Sequence, residues 1–343
     1  MRVSKKILLF ASLLIVHGIA WAQSTKISTI DVYGNRKIRS DSILSYLTIK
    51  EGDSINPAAF QPDSIISILK RIPGITQATV NPICCDADNG YSLYIGIAES
   101  DSNSLQYRPA PKQNVRLPDE IISAYRNFNQ QVRIAALKGE ASEEYVNGYS
   151  LLTYAAARNE QANFMVFAQQ KFQELAKVLK YSKDAEHRAA AAQVIAYASD
   201  KRKVAEHLLY AIKDADENVR NNATRAVSIL AGYLAEHPEV KVIIPVAPFI
   251  DLLNSVSWTD RNKGAMVLVE LTRSKDKDLL EQIIKHAMPS VIEMARWKNR
   301  GHALFSFMIL SRMAGEDESS IIERNFSKNW SGFVDQMVEK LSP

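Results

Sequence analysis

The sequence predicts an α+β domain of β-α-α-β-β order over residues 25–100 and an all-α superhelical solenoid over residues 118–343. The first prediction depends on three stretches in which apolar and polar residues alternate, separated by turn-forming glycines and two short helical patterns. The second depends on a segment of similar pattern that occurs four times, at intervals of about 30 to 40 residues, which is typical of stacked helical hairpins. The four copies begin at Arg188, Arg220, Arg261 and Arg300.

Residues 1–22 have the three parts of a secretory signal peptide. A basic start precedes an apolar core at residues 7–16, and the small-residue motif Ala20-Trp21-Ala22 follows as a cleavage site. The core is shorter than the roughly 20 residues that a membrane-spanning helix needs, which favours cleavage over an uncleaved anchor. We therefore expect an exported protein of the periplasm or outer-membrane periphery, peripheral to a membrane at most.

The composition excludes some classes of partner. The formal net charge is +4, but Arg2, Lys5 and Lys6 lie in the predicted leader, so the mature chain is nearly neutral. Such a chain has no large net positive charge to attract nucleic acid or anionic lipid, and we expect no nucleic-acid partner. A length of 343 residues predicts about two domains, and 46% hydrophobic residues suffice for packed cores.

The α+β domain begins with a strand that ends at the turn Gly34-Asn35. Helical spacing of apolar residues after Asp41-Ser42 predicts a short helix. A second helix begins at Pro62-Asp63 and ends before Pro73-Gly74. Each of these boundaries is set by a residue type that breaks regular structure or caps a helix.

Two strands close the domain, at residues 75–85 and 91–98, and the dipeptide Asn89-Gly90 between them is a strong hairpin signal. The only cysteines, Cys84 and Cys85, are adjacent near the end of the first of these strands. Side chains of neighbouring strand residues point to opposite faces, so we expect one packed and one exposed thiol. An intermolecular or redox pair and a strained vicinal disulfide are the alternatives.

Several landmarks occur in the order found in one family of small domains. They are Val32-x-Gly34-Asn35, Ile43-Leu44-x-x-Leu47, Gly52-Asp53, Leu69-x-x-Ile72-x-Gly74-Ile75 and Ile95-x-Ile97-x-Glu99. In this pattern the domain resembles the POTRA (polypeptide-transport-associated) domain. The resemblance implies a periplasmic module that binds polypeptide or docks beside an outer-membrane β-barrel or another secretion component. Most such domains occur in tandem before a barrel, whereas this sequence contains one copy and no barrel.

The resemblance also implies a binding mode. In the family the second strand lies at an edge of the sheet, and Pro82 fits that position because proline is tolerated at edges and not in central strands. An extended partner would pair with this open edge by β-augmentation. An edge that Pro82 merely blunts is the alternative. The partner-binding candidates on this strand are Gln77, Ala78, Thr79, Val80 and Asn81.

A Pro-containing linker is expected at residues 101–117, and helical patterns follow. Each copy of the repeat is the second helix of a unit, and the first helices are expected at residues 172–179, 203–212, 242–253 and 279–295. Capping helices are expected at residues 120–138, 144–159 and 321–341. With Asp184-x-x-x-Arg188 and Asp216-x-x-x-Arg220, the array resembles HEAT repeats. We expect these Asp and Arg residues to cap helices and to tie neighbouring units together, rather than to bind anions.

Several side chains along one row of the repeated helices are larger and more apolar than a solvent-exposed face requires. The row lies opposite the predicted core stripe, and in solenoids of this kind the second helices line a concave surface. It is therefore a candidate surface for a protein partner, with packing between adjacent units as the alternative. The candidates in this row are Gln193, Tyr197, Arg225, Ile229, Met266 and Phe305.

Signals for catalysis are absent from the sequence. The histidines form no metal-binding spacing, and no nucleophile motif or phosphate-binding loop occurs, so we predict no catalytic residue, metal, cofactor or small-molecule substrate. The sequence favours a non-catalytic protein-protein interaction scaffold of the bacterial cell envelope. The alternative is an enzyme or enzyme subunit on an α-helical superhelix, with active-site residues dispersed along the chain.

Overall fold

The computed structural model describes residues 25–57, 59–84, 86, 90–100 and 105–342. The predicted leader at residues 1–22 lies outside the described residues, as do Cys85 and Asn89. Within the described ranges, no helix combines the length and apolar character that crossing a membrane requires.

The α+β domain contains a four-stranded mixed sheet. Its elements are β1 (Thr25–Tyr33), α1 (Ser40–Leu44), β2 (Ser54–Ile55), α2 (Pro62–Leu69), β3 (Ile75–Cys84) and β4 (Tyr91–Glu99). The strand order is β2-β1-β4-β3, in which β1 and β4 are parallel and the other pairs are antiparallel. The predicted helices and strands are confirmed, whereas β2 was missed because a two-residue strand leaves no periodic pattern. Cys84 is disulfide-bonded, so the expected free thiol is wrong at this position.

One face of the sheet packs against α1 and α2. Ile43 and Leu69 from these helices are fully buried with Ile27, Leu93 and Ile95 from the strands. At the end of β4, the buried carboxylate of Glu99 accepts hydrogen bonds from three consecutive backbone N–H groups at residues 36–38, at 2.9 to 3.0 Å. Burial raises the pKa of Glu99, but these donors outweigh it and hold the pKa below its usual value.

Helices dominate the rest of the chain, which also contains one β-hairpin. The helices are α3 (Asp119–Leu137), α4 (Ala155–Gln170), α5 (Phe172–Tyr181), α6 (Ala185–Ile195), α7 (Lys201–Ala211), α8 (Glu217–Glu236), α9 (Ala247–Leu252), α10 (Trp258–Leu271), α11 (Lys277–Ala295), α12 (Arg300–Met313), α13 (Glu318–Asn325) and α14 (Trp330–Leu341). The hairpin strands are β5 (Glu143–Val146) and β6 (Tyr149–Leu152). The second helices of the four predicted units are α6, α8, α10 and α12, and each packs against the next. This arrangement is consistent with a repeat solenoid; the superhelical and HEAT-like character stays a prediction.

Three predicted helices have different limits in the structure. The helix expected at residues 144–159 is wrong at its start, because the hairpin occupies this stretch and α4 begins only after it. Asn147 and Gly148 have φ values of 48° and 75°, as a type I′ turn requires. The helix expected at residues 242–253 begins only at Ala247, and the one expected at residues 321–341 is divided into α13 and α14.

The repeated helices bury the small residues that follow each repeat arginine by three positions. A Cβ atom at Gly264 would lie 2.9 Å from the Cβ of Leu252, so this glycine allows α10 to approach α9 closely. The residues seven positions after each arginine form the apolar stripe of the core, as predicted. The small residues are Ala191, Ala223, Gly264 and Ala303.

The repeat arginines tie neighbouring units together, as predicted. Arg188 donates to both carboxylate oxygens of Asp214 at 2.9 and 2.8 Å, and Arg188 is 1% exposed. Arg220 forms the same bidentate pair with Asp260 at 2.9 and 3.0 Å. Arg300 departs from this pattern, since it is exposed and donates to backbone carbonyls instead.

Residues 105–117, which belong to the predicted linker, lie extended along the ends of the helical units. The backbone N–H of Arg108 donates to the carbonyl of Lys213 at 2.8 Å. The backbone N–H of Leu117 donates to Nδ1 of His187 at 2.9 Å. The described part of this segment therefore contacts successive units.

Candidate functional site

Strand β3 lies at the edge of the sheet, where the docking prediction requires it. The candidates Ala78 and Val80 on this strand are buried in the core of the α+β domain, at 8% and 4% exposure. Their side chains are therefore unavailable to a partner. Gln77, Thr79 and Asn81 alternate with them and belong to the opposite face of the sheet.

That opposite face is docked on the helical domain. The carbonyl oxygen of Val256 accepts hydrogen bonds from the Tyr33 hydroxyl at 2.8 Å and from the Thr79 hydroxyl at 2.5 Å. Gly96 lies between these two residues in the strand register, and a Cβ atom placed on it would lie 2.0 Å from the same oxygen. The Thr79 side chain thus contacts the helical domain, and Gly96 makes room for the contact.

Aromatic and charged side chains extend this interface. The fully buried Tyr94 packs against Trp297, at 4.9 Å between ring centroids, and its hydroxyl lies 2.8 Å from Nδ1 of His302. Burial raises the pKa of Asp31 to about 6, although the backbone N–H of Lys298 donates to its carboxylate at 3.2 Å. Burial is also the main cause that lowers the pKa of His302 to about 4.

A cavity of about 320 Å³ lies between the two domains, and Gln77 lines it. The two arginines in its wall share one carboxylate as their partner. Arg36 and Arg261 donate to the two carboxylate oxygens of Glu293 at 3.0 and 2.7 Å. The Tyr107 hydroxyl donates to a carboxylate as well, at 2.5 Å from Oδ2 of Asp260. These contacts account for the polar lining as part of the interface.

The predicted row on the repeated helices divides into two parts. Its N-terminal part, which includes Gln193, Tyr197 and Arg225, lies against the hairpin. The Tyr197 hydroxyl donates to the carbonyl of Ser150 at 3.2 Å, and Arg225 forms an ion pair with Glu143. The hairpin therefore covers this half of the row, which is a contact that neither sequence interpretation of the row anticipated.

Beyond the hairpin the row lines an open groove of about 180 Å³ between β5 and the second helices α8, α10 and α12. Met266 and Phe305 are only partly buried there, and Ile229 lies beside them. Tyr145 of the hairpin forms part of the opposite wall and is 68% exposed. Three of the six predicted row residues thus come together in one apolar depression.

The groove carries more acidic than basic groups. Glu236, Glu270 and Arg273 line it, and Arg273 lies 2.9 Å from a carboxylate oxygen of Glu270. Burial raises the pKa of Glu270, and the nearby arginine opposes this shift only in part. A ligand with a positive charge at this edge would meet a complementary field.

The sequence interpretation missed the hairpin side of the groove. Tyr145, Asn147 and Gly148 were assigned to a helix, although the Asn-Gly dipeptide is a hairpin signal. Tyr233 from α8 was missed because a single aromatic residue on a helix carries no periodic signal.

The groove combines apolar side chains with one ion pair at its edge. Six of its thirteen lining residues are Met, Phe, Ile, Val or Tyr, and the Glu270–Arg273 ion pair balances the buried acid. Among the described residues, no group of three His, Cys, Asp or Glu side chains is arranged to hold a metal ion. Partly exposed aromatic and Met side chains of this kind are common at protein contact surfaces.

No protein-family model and no curated protein matches the chain. Among solved structures, it is similar to a designed armadillo repeat protein, YIII(Dq)4CqI, with 14% sequence identity and a TM-score of 0.36. The match covers 55% of this chain and 94% of the designed protein.

Proposed function

We propose that this protein is a non-catalytic scaffold that binds a polypeptide in the groove between β5 and helices α8, α10 and α12. One observation carries the proposal: Met266, Phe305 and Tyr145 converge on an open apolar depression that no other described part of the chain fills. Exposed aromatic and Met side chains of this kind are enriched at protein interfaces.

The proposal includes a location in the bacterial cell envelope. It is supported by the signal-peptide pattern of residues 1–22 and by the POTRA-like landmarks of the α+β domain. An outer-membrane or secretion component is the partner we propose for this domain. Because the Thr79 side chain contacts Val256, such a partner would pair with the backbone of β3 rather than with its side chains.

The groove can be tested by site-specific photo-crosslinking in the native envelope fraction. Met266 is replaced by a benzophenone amino acid, and the matched control carries the same group at the exposed Lys177 on α5. We expect a discrete crosslinked protein from position 266 and none from position 177. The Phe305→Lys substitution should remove the crosslink while the protein stays folded, which thermal unfolding checks. Identical products from both positions, or no product from position 266, would contradict the proposal.

Arg225 is left unchanged in this experiment. Arg225 pairs with Glu143, so its replacement would disturb the hairpin as well as the row of helix residues. Substitutions at Met266 and Phe305 leave the Arg225–Glu143 ion pair in place, because both side chains lie on the second helices and line the open depression.

A further inference from the structure

The register of the hairpin determines which of its backbone groups point outward. Val146 and Tyr149 flank the two-residue turn and form a hydrogen-bonded pair, as a type I′ hairpin requires. Pairs alternate along an antiparallel ladder, so Tyr145 and Ser150 are a non-hydrogen-bonded pair. The backbone N–H and C=O groups of Tyr145 and Ser150 therefore point away from the partner strand, toward the two outer edges of the hairpin.

The outer edge of β6 is closed by side chains of the helical domain. Gln161 is fully buried, and its amide accepts from the backbone N–H of Leu152 at 2.8 Å and donates to the carbonyl of Ser150 at 2.9 Å. These are the two bonds that a neighbouring strand would make. The Tyr197 hydroxyl also donates to the Ser150 carbonyl. No further strand can pair with this edge.

The outer edge of β5 is open. Its neighbour in the two-stranded sheet is β6, and in the part of the chain that the structure describes no backbone or side-chain group bonds the N–H or C=O of Tyr145. Glu144, Tyr145 and Val146 are all exposed. The groove with Met266 and Phe305 lies beside this strand.

We propose that an extended segment of another polypeptide pairs with β5 as a third strand of the hairpin sheet. This inference rests on the proposed function and specifies how the partner binds. Backbone bonds to Tyr145 hold the segment, and alternate side chains of the segment point into the groove. An apolar side chain fits against Met266 and Phe305. A Lys or Arg two positions away on the same face complements Glu236, the acid left over beside the Glu270–Arg273 ion pair.

The test begins with selection of a phage-displayed library of random ten-residue peptides on the full chain. A peptide recovered in this way is synthesised with a fluorescent label, and its affinity is measured for two variants of Tyr145. Tyr145→Val keeps the outward N–H and removes the ring, whereas Tyr145→Pro also removes that N–H. Since the N–H of Tyr145 is outside the ladder, proline leaves the β5–β6 hydrogen bonds in place.

We expect Tyr145→Pro to weaken binding at least about tenfold relative to Tyr145→Val, which corresponds to about 1.4 kcal/mol. The recovered peptides should alternate apolar and basic residues. N-methylation of alternate amides in the peptide should produce the same loss in the unmodified protein, which provides a test independent of the variants.

Equal affinity for both variants together with tolerance of N-methylation would overturn strand addition. The photo-crosslink from position 266 would then still support the groove as a binding site. Failure of any peptide to be enriched over a Phe305→Lys protein would overturn strand addition as well, and the crosslinking result would decide the proposed function separately.

Discussion

At Gly96 the absence of a side chain lets the two domains meet. The carbonyl oxygen of Val256 lies where a Cβ atom would be, and the hydroxyls of Tyr33 and Thr79 both donate to that oxygen. The sequence gives no sign of this role, because glycine in a strand is compatible with a bulge or with any close approach. The contact partner is more than a hundred residues away in the chain, so local pattern cannot identify it.

We predict that Gly96→Ala destabilises the folded protein by about 2–3 kcal/mol, since the new methyl group pushes the Val256 loop away and weakens two hydrogen bonds. Urea unfolding of both proteins measures this difference. Gly301→Ala is the control, because it adds a methyl group in the first turn of α12, where the nearest atom is 3.3 Å away and belongs to a side chain. A Gly96 variant as stable as the Gly301 variant would contradict the described interface.

Glu99 is a second residue whose role is larger than its sequence pattern indicates. It is one of the POTRA-like landmarks, but only the structure shows that it accepts three backbone N–H groups of the loop after β1. We predict that Glu99→Gln lowers the free energy of unfolding by about 2–3 kcal/mol, because a neutral amide accepts more weakly than a carboxylate and its NH2 group would face the N–H of Lys37 in place of Oε2. Thermal unfolding checks this value. Glu323→Gln, at an exposed position of α13, should change stability by less than about 0.5 kcal/mol.

At the scale of elements, the repeat pattern predicted most of the helical half. The second helices and their buried stripe were found because each unit repeats the same burial at the same spacing. The hairpin was missed because it breaks this periodicity, and the helical pattern of α4 was extended backwards across Asn147-Gly148. The groove depends on the hairpin, so only one of its walls was predicted.

The pairing of the repeat arginines leads to a prediction whose control is the equivalent arginine of another unit. Removal of Arg188 by Arg188→Ala leaves Asp214 buried without its partner, which should cost about 3–5 kcal/mol. Arg300→Ala removes the corresponding residue of the fourth unit, which is exposed and pairs with no carboxylate of the described residues, and should cost less than about 1 kcal/mol. Calorimetric unfolding compares the two. Equal effects would show that the buried pair does not bind the units together.

Closure of the β6 edge leads to a second prediction at this scale. Gln161→Leu keeps the size of the side chain but leaves the N–H of Leu152 without its acceptor and removes one donor from the Ser150 carbonyl. We expect a loss of about 2–4 kcal/mol and faster amide hydrogen exchange in the hairpin. Gln169→Leu on the same helix is the control, because Gln169 is exposed. Unchanged exchange in the Gln161 variant would contradict the assigned role of its amide.

At the scale of the whole molecule, the two predicted modules pack against each other through an extensive interface. Sequence analysis predicted two modules and an extended segment between them, but not their relative arrangement. That arrangement depends on pairs such as Tyr94 with His302 and Asp31 with Lys298, which are separated by more than two hundred residues. Neither member of these pairs has a local pattern that distinguishes it from an ordinary core or surface residue.

This interface contains two groups whose protonation affects stability in opposite directions. The pKa of His302 falls from 6.5 to about 4 on folding, so between these pH values the unfolded chain binds a proton that the native protein does not. Stability therefore decreases as pH falls through this window. The pKa of Asp31 rises from 3.8 to about 6, so the native protein binds the extra proton, and stability increases as pH falls from about 6 toward 3.8.

The two effects should partly cancel in the native protein between about pH 6 and pH 4. Asp31→Asn removes only the second effect, so we expect its free energy of unfolding to fall more steeply on acidification than that of the unchanged protein. His302→Gln keeps an acceptor for the Tyr94 hydroxyl and removes only the first effect. Its free energy of unfolding should therefore fall less steeply on acidification than that of the unchanged protein. Urea unfolding at closely spaced pH values measures the three slopes. Because exposed carboxylates titrate alike in all three proteins, parallel curves would mean that neither group is buried at the interface in solution.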